Sequence, residues 1–196
     1  MLRVSEKSIL IPIDLQMGFD DPVQPPRWNK DFDANCKALL DAWRRTELTI
    51  VHVKHDSVEP NSPLRPNRPG NAFRPGLGPT SQERVIGKDT NSAFIRTDLQ
   101  ETLLDLRPDT LVIFGLTSDM CVSTSARMAS NLGWKVVVVQ DACDCFQLSG
   151  PHGVIAAELS HQIHMATLAY EFCEVADTDS LLSTLAAIEQ PKPNRH

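Results

Sequence analysis

The chain is first defined by what it lacks. Its five cysteines (Cys36, Cys121, Cys143, Cys145 and Cys173) are odd in number and form no CxxC pair. That excludes a disulfide framework and suits free thiols in a reducing cytoplasm. There is no run of basic residues, and the net charge is −6 over 196 residues, which argues against nucleic acid as a partner. No apolar stretch approaches the roughly 20 residues that cross a bilayer, so no membrane partner is expected. The N-terminal MLRVSEKSILIPIDL has a short apolar run and no small-residue cleavage site, and reads as a first strand rather than a secretion signal. Neither an internal repeat nor a domain boundary interrupts the chain, so residues 1–196 read as a single domain. A composition 41% hydrophobic and 22% charged is that of an ordinary soluble globule.

The chain is organised around the stretch from Leu111 to Cys145. Leu111-Val112-Ile113-Phe114 is an apolar run closed by Gly115, as in a fully buried strand. Thr117, Ser118 and Asp119 can each cap a helix, which would carry Cys121 in its first turn and stop at Asn131-Leu132-Gly133. Lys135 to Val139 is a second buried strand. Two strands joined by a helix form a parallel crossover, and such sheets bind ligands at the carboxyl ends of their strands. Cys121 is expected there, its thiol pKa lowered by the helix dipole.

Elsewhere the pattern alternates strand and helix. Strands are expected at Ser8–Ile13 and Thr49–Val53, with a short extended piece from Val85 to Lys88 and a last strand at Glu171–Ala176. Pro12 counts against a fully paired, central first strand. Helices are expected at Asp31–Arg45, Asp98–Leu106, Val154–Ala169 and Ser180–Ile188, the last capped by Asp179. The residues from His55 to Arg84 hold six prolines and little periodicity, and read as a partly stiffened lid whose Arg65, Arg68 and Arg74 are solvated charges. The tail from Gln190 to His196 is expected to fray. The alternation predicts a three-layer, Rossmann-like α/β fold: a parallel sheet with helices on both faces. Asp14 at the tip of the first strand, Lys88 and Cys121 then share one rim. The ammonium would favour thiolate and the carboxylate could take and return a proton.

These residues carry a resemblance that spans nearly the whole chain. Ile13-Asp14-Leu15-Gln16-Met17-Gly18-Phe19, Gly87-Lys88 with Ser92-Ala93-Phe94, and Gly115-Leu116-Thr117-Ser118-Asp119-Met120-Cys121-Val122, followed by Asp141-Ala142, resemble the isochorismatase-like cysteine hydrolases. The resemblance implies a catalytic triad of Asp14, Lys88 and Cys121. It also implies a non-proline cis peptide at Leu116–Thr117 and an oxyanion hole made by the backbone N–H groups of Thr117 and Cys121. Members with this triad hydrolyse C–N bonds of small amides through a thioester. Members that act on isochorismate lack the cysteine, because cleaving a vinyl ether needs acid catalysis and no nucleophile. The implied activity is therefore an amidase acting on an amide, ureide or carbamoyl compound.

The nicotinamidase branch has an Asp-x-His and a further His as a metal site. Here that region reads Val51-His52-Val53-Lys54-His55-Asp56-Ser57, with an ammonium between the histidines, so neither metal nor other cofactor is expected. A zinc-dependent nicotinamidase, a non-catalytic oligomeric binding protein of the same fold, and redox sensing by Cys121 are the competing readings. The candidate substrate pocket is mainly apolar and aromatic: Gln16, Phe19, Trp28, His55, Phe94, Leu116, Thr117 and Phe146. His161, His164, Cys143 and Cys145 are expected to serve packing. Relatives assemble as dimers up to larger rings, so a homo-oligomer, dimer or tetramer, is expected.

Overall fold

Short runs of Ile, Val and Leu become the inner strands of one sheet, because only burial on both faces suits strands with no polar alternation. The computed structural model describes residues 4–189. In chain order the elements are β1 (Ser8–Ile13), α1 (Phe32–Arg45), β2 (Val51–His55), β3 (Arg84–Lys88), α2 (Leu99–Leu106), β4 (Thr110–Leu116), α3 (Ser123–Asn131), β5 (Val136–Asp144), β6 (Leu148–Gly150), β7 (Gly153–Ile155), α4 (Ala157–Glu171), β8 (Glu174–Ala176) and α5 (Thr178–Glu189). The main sheet runs β3-β2-β1-β4-β5-β8, all parallel. Helices α1 and α5 pack on each other and on β5, while α3 and α4 pack together on the opposite face. This is the expected three-layer α/β fold. The chain winds outward from β1 to β3 and restarts at β4, so the direction of winding reverses between β1 and β4. A crevice opens at the carboxyl ends of such a strand pair.

Every residue of β1 and β4 is buried. Leu10, Ile11 and Ile13 are almost completely enclosed, each contributing about 1.5–3 kcal/mol by leaving water. Gly115 lies within β4 at φ +126, where a Cβ would collide with the carbonyl oxygen of Ile13. Only glycine lets the two central strands approach so closely at the end that carries the site.

Several expectations are corrected. Pro12 does lie in a central strand. Leu10 and Asp14 donate their N–H groups to Thr49 and Val53 on the β2 side, so the sheet forgoes one bond at Pro12 between them. The helix expected from Val154 begins at Ala157, because Gly153–Ile155 pairs with Leu148–Gly150 in an antiparallel hairpin. Asp179 does not cap α5. The helix starts at Thr178, whose N–H and hydroxyl both donate to Asp141 Oδ1 at 2.8 Å. The expected fraying of 190–196 concerns residues outside those described.

The proline-rich segment after β2 is stapled down by side chains. Asn71 Nδ2 donates to the carbonyls of His55 and Leu64 and to Asp56 Oδ1. Arg74, expected in solvent, is buried and pairs with Asp20 and Asp33. Glu83 is held by Arg44 at 2.8 Å, by His52 Nε2 at 2.9 Å and by the Thr80 N–H at 3.0 Å. Burial alone would raise its pKa, but these partners outweigh it and hold the carboxyl at about 2. Its stabilising effect is complete above the ordinary glutamate range and is lost as pH falls from about 5 towards 2. Glu83→Gln should therefore lower unfolding free energy at pH 7 by about 2 kcal/mol, and the wild-type advantage should vanish near pH 2. Urea melts of both proteins across this range check it.

Candidate active site

Three strand ends deliver the expected triad. Asp14 follows β1 with φ 54, a left-handed conformation unusual for a non-glycine residue, and is completely buried. Lys88 is the last residue of β3 and is 2% exposed. Cys121 follows β4 in a single π turn, Ser118–Val122, that leads into α3, and is 7% exposed. Lys88 Nζ lies 2.7 Å from Asp14 Oδ2, 3.3 Å from Cys121 Sγ, 3.1 Å from the Thr90 carbonyl and 3.0 Å from His55 Nδ1. Four acceptors thus surround an ammonium with three hydrogens. The Leu116–Thr117 peptide is cis, as the resemblance implies.

The electrostatics correct one expectation. Cys121 is not on the first turn of an α-helix, and the Thr117 side chain makes no capping hydrogen bond. Burial first, and the Asp14 carboxylate second, push the thiol up to about 12 against the opposing pull of Lys88. The resting sulfur is therefore a thiol. Asp14 is also raised above its ordinary value, by burial, with Lys88 opposing. His55 is lowered by burial and then by Lys88, which leaves it a neutral ring whose Nδ1 accepts from the ammonium. Its second nitrogen, Nε2, then carries the ring proton.

The other pocket candidates divide. Phe19 and Phe146 stack at 6.1 Å, and a bridge joins Arg27 to Phe146. Trp28 lies against the ring of His161, with centroids 4.9 Å apart. Gln16 is instead a fully buried staple: its Nε2 donates to the carbonyls of His55 and Asn71, and its Oε1 accepts from the His55 N–H. Leu116 is enclosed in the core, and Phe94 stacks on Trp134 at 5.7 Å. Cys143 and Cys145 are buried, their thiols turned to the Val139 and Ala157 carbonyls, as expected of packing residues. His164 Nδ1 donates to the Ser160 carbonyl at 2.9 Å.

One structural device was not anticipated. The loop before α1 is clamped over the sheet edge by a buried ion pair between Arg27 and Asp144, at 3.2 Å. Asn29 Nδ2 adds bonds to the carbonyls of Asp141 and Cys143. The signal available was Asp144, a carboxylate flanked by Cys143 and Cys145 and five residues beyond a run of four valines, where an ionised group needs a partner.

With this geometry in view, the sequence model of the isochorismatase domain matches residues 8–180. The chain belongs to the isochorismatase family. Among relatives, the isochorismatase family protein YrdC of Bacillus subtilis is 35% identical over 181 residues, 92% of this chain and 97% of that one. A solved isochorismatase-family structure from Chromobacterium violaceum superposes with a TM-score of 0.92 at 39% identity, covering 96% of this chain and 98% of the other. The streptothricin hydrolase of Streptomyces noursei is 31% identical over 150 residues, 74% of this chain and 57% of its own length. The isochorismatase family is one of hydrolases, and this member's strands bring Asp14, Lys88 and Cys121 together.

Proposed function

We propose that this protein is a metal-independent cysteine amidohydrolase of small molecules. The observation that carries the reading is the meeting of a buried carboxylate, ammonium and thiol at one sheet edge. A C–O hydrolase acting by acid catalysis would have no use for the thiol. The likeness to a streptothricin hydrolase adds support for a small-molecule substrate.

The chemistry follows from the proton positions. Asp14 takes the Cys121 proton as sulfur attacks the amide carbon, so no free thiolate need exist beforehand. The carbonyl electron pair moves onto oxygen, where the Thr117 and Cys121 N–H groups would hold the oxyanion. Lys88 shifts its shared hydrogen from His55 towards the sulfur as charge develops there. Protonated Asp14 then gives its proton to the departing nitrogen as the C–N bond breaks, releasing ammonia or an amine. Water, losing a proton to Asp14, attacks the thioester. Collapse of that second intermediate expels sulfur, which recovers its proton from Asp14.

A zinc-dependent, nicotinamidase-like course is opposed by the donor set. Ligand atoms of Asp14, His55 and Cys121 lie within 4.8 Å of one another, as a metal site would require. Lys88 Nζ stands among them, where a cation would have to sit, and His52 is turned to Glu83. The purified protein, assayed for ammonia release on a panel of small primary amides and ureides, should lose none of its activity in a strong chelator. Loss in chelator with recovery on adding zinc would overturn the metal-free reading.

A further inference from the structure

The loop between β3 and α2 brings one more polar group to the sulfur. It is tied down on both sides of Asn91. Lys88 Nζ donates to the Thr90 carbonyl at 3.1 Å, and the Ala93 N–H donates to Ser125 Oγ of α3 at 3.0 Å. Between these ties Asn91 is exposed, and its Oδ1 lies 3.7 Å from Cys121 Sγ, whose S–H is a weak donor to it. The side chain makes no other hydrogen bond among the described residues, which leaves its Nδ2 without a partner there. Unlike Asp14 and Lys88, this group meets solvent directly.

The sulfur has need of a second donor. Burial and Asp14 push the thiol up to about 12, with Lys88 opposing. That ammonium divides three hydrogens among four acceptors, and its shortest contact is to Asp14 at 2.7 Å, not to the sulfur at 3.3 Å. A carboxamide can exchange roles where a carboxylate or an ammonium cannot. Half a turn about the Cβ–Cγ bond of Asn91 puts Nδ2 where Oδ1 stands, and gives up only the weak S–H contact. A hydrogen bond to an ionised partner is roughly twice as strong as a neutral one, so the exchange favours the charged sulfur over the thiol.

We propose that Asn91 is a further catalytic residue, whose carboxamide turns from accepting the Cys121 hydrogen to donating to the sulfur as negative charge develops there. The role rests on the amidase reading, in which Cys121 is the nucleophile, and adds a donor beside Lys88. While Asp14 takes the thiol proton, Nδ2–H faces the charge gathering on sulfur. The same donor serves again when the second tetrahedral intermediate expels the sulfur. In the thioester between these steps the sulfur is neutral and asks little of Asn91.

The test compares Asn91→Ala and Asn91→Asp with the wild type. Alkylation by iodoacetamide is followed on the peptide that contains Cys121, from neutral to mildly alkaline pH, and needs no substrate. Alanine opens the way to the sulfur but removes the donor, and should slow alkylation about fivefold; aspartate keeps the size and the acceptor but brings a charge, and should slow it about fiftyfold. For an amide that the wild type hydrolyses, kcat should fall in the same order, with KM within about twofold of the wild type. Both variants should fold, because the position is exposed, and melting curves establish it. Alkylation as fast or faster in Asn91→Ala would overturn the assignment. So would a raised KM at unchanged kcat, the mark of a group that only binds substrate. The expected order of alkylation in a protein that hydrolyses no amide would instead defeat the amidase reading and leave the action of Asn91 on the sulfur standing.

Discussion

On the proposed amidase reading, replacing Cys121 with alanine should lower kcat/KM for amide hydrolysis by about ten-thousandfold or more, the scale seen when a covalent nucleophile is removed. The fold should survive, because the side chain lost is small and Lys88 keeps its bonds to Asp14 and the Thr90 carbonyl. A melting temperature close to that of the wild type, measured beside ammonia release, separates loss of chemistry from loss of structure. The same sulfur should alkylate slowly at neutral pH, and faster as pH rises, since burial and Asp14 push its pKa up to about 12. A bystander cysteine would leave turnover in the alanine variant within a few-fold of the wild type.

The second large effect concerns Lys88. Its Nζ and the Asp14 carboxylate form an ion pair wholly removed from water, 2.7 Å apart. Such a pair adds little net stability over an apolar replacement of both partners, but deleting one partner strands the other. Lys88→Met should therefore destabilise the protein by about 3–5 kcal/mol, because Asp14 is left as an unpaired buried carboxylate. For a chain of this size that corresponds to a melting temperature roughly 10 °C lower. Activity should fall with it, since the developing negative charge on sulfur loses the donor that lies 3.3 Å away. The double variant Lys88→Met/Asp14→Leu should recover much of the stability and none of the activity. Calorimetric melting of the two variants checks this. A single variant as stable as the wild type would show that the pair is not buried as described.

The layers and the site were legible in the sequence to different degrees, for physical reasons. Runs such as Leu111–Phe114 and Val136–Val139 announce strands buried on both faces; Asp14 and Cys121 follow such runs, and Lys88 ends a short, largely exposed edge strand. Adjacency at a sheet edge could thus be read from chain order alone. The sheet also tolerates Pro12 in its centre, which local propensity argues against, because the cost is a single bond on one side. What could not be read was the electrostatic state of the site. A helix-capping sequence ahead of Cys121 suggested a depressed thiol pKa, but the turn is π rather than α and the sulfur is almost closed off from water. Long-range pairs were equally hidden. Arg27 reaches Asp144, Arg74 reaches Asp33, and Gln16 is consumed by His55 and Asn71, and none of these partners shares a local pattern.

The most direct test of the central claim is to trap the covalent intermediate. Wild-type protein is mixed with an amide that it hydrolyses, quenched in acid within the first turnover, and measured by intact and peptide mass spectrometry. The account predicts an added acyl group, equal to the substrate less ammonia or amine, on the peptide containing Cys121, and none in Cys121→Ala. Steady turnover in the Cys121→Ala protein, with no acyl group on the wild type at any time, would contradict it.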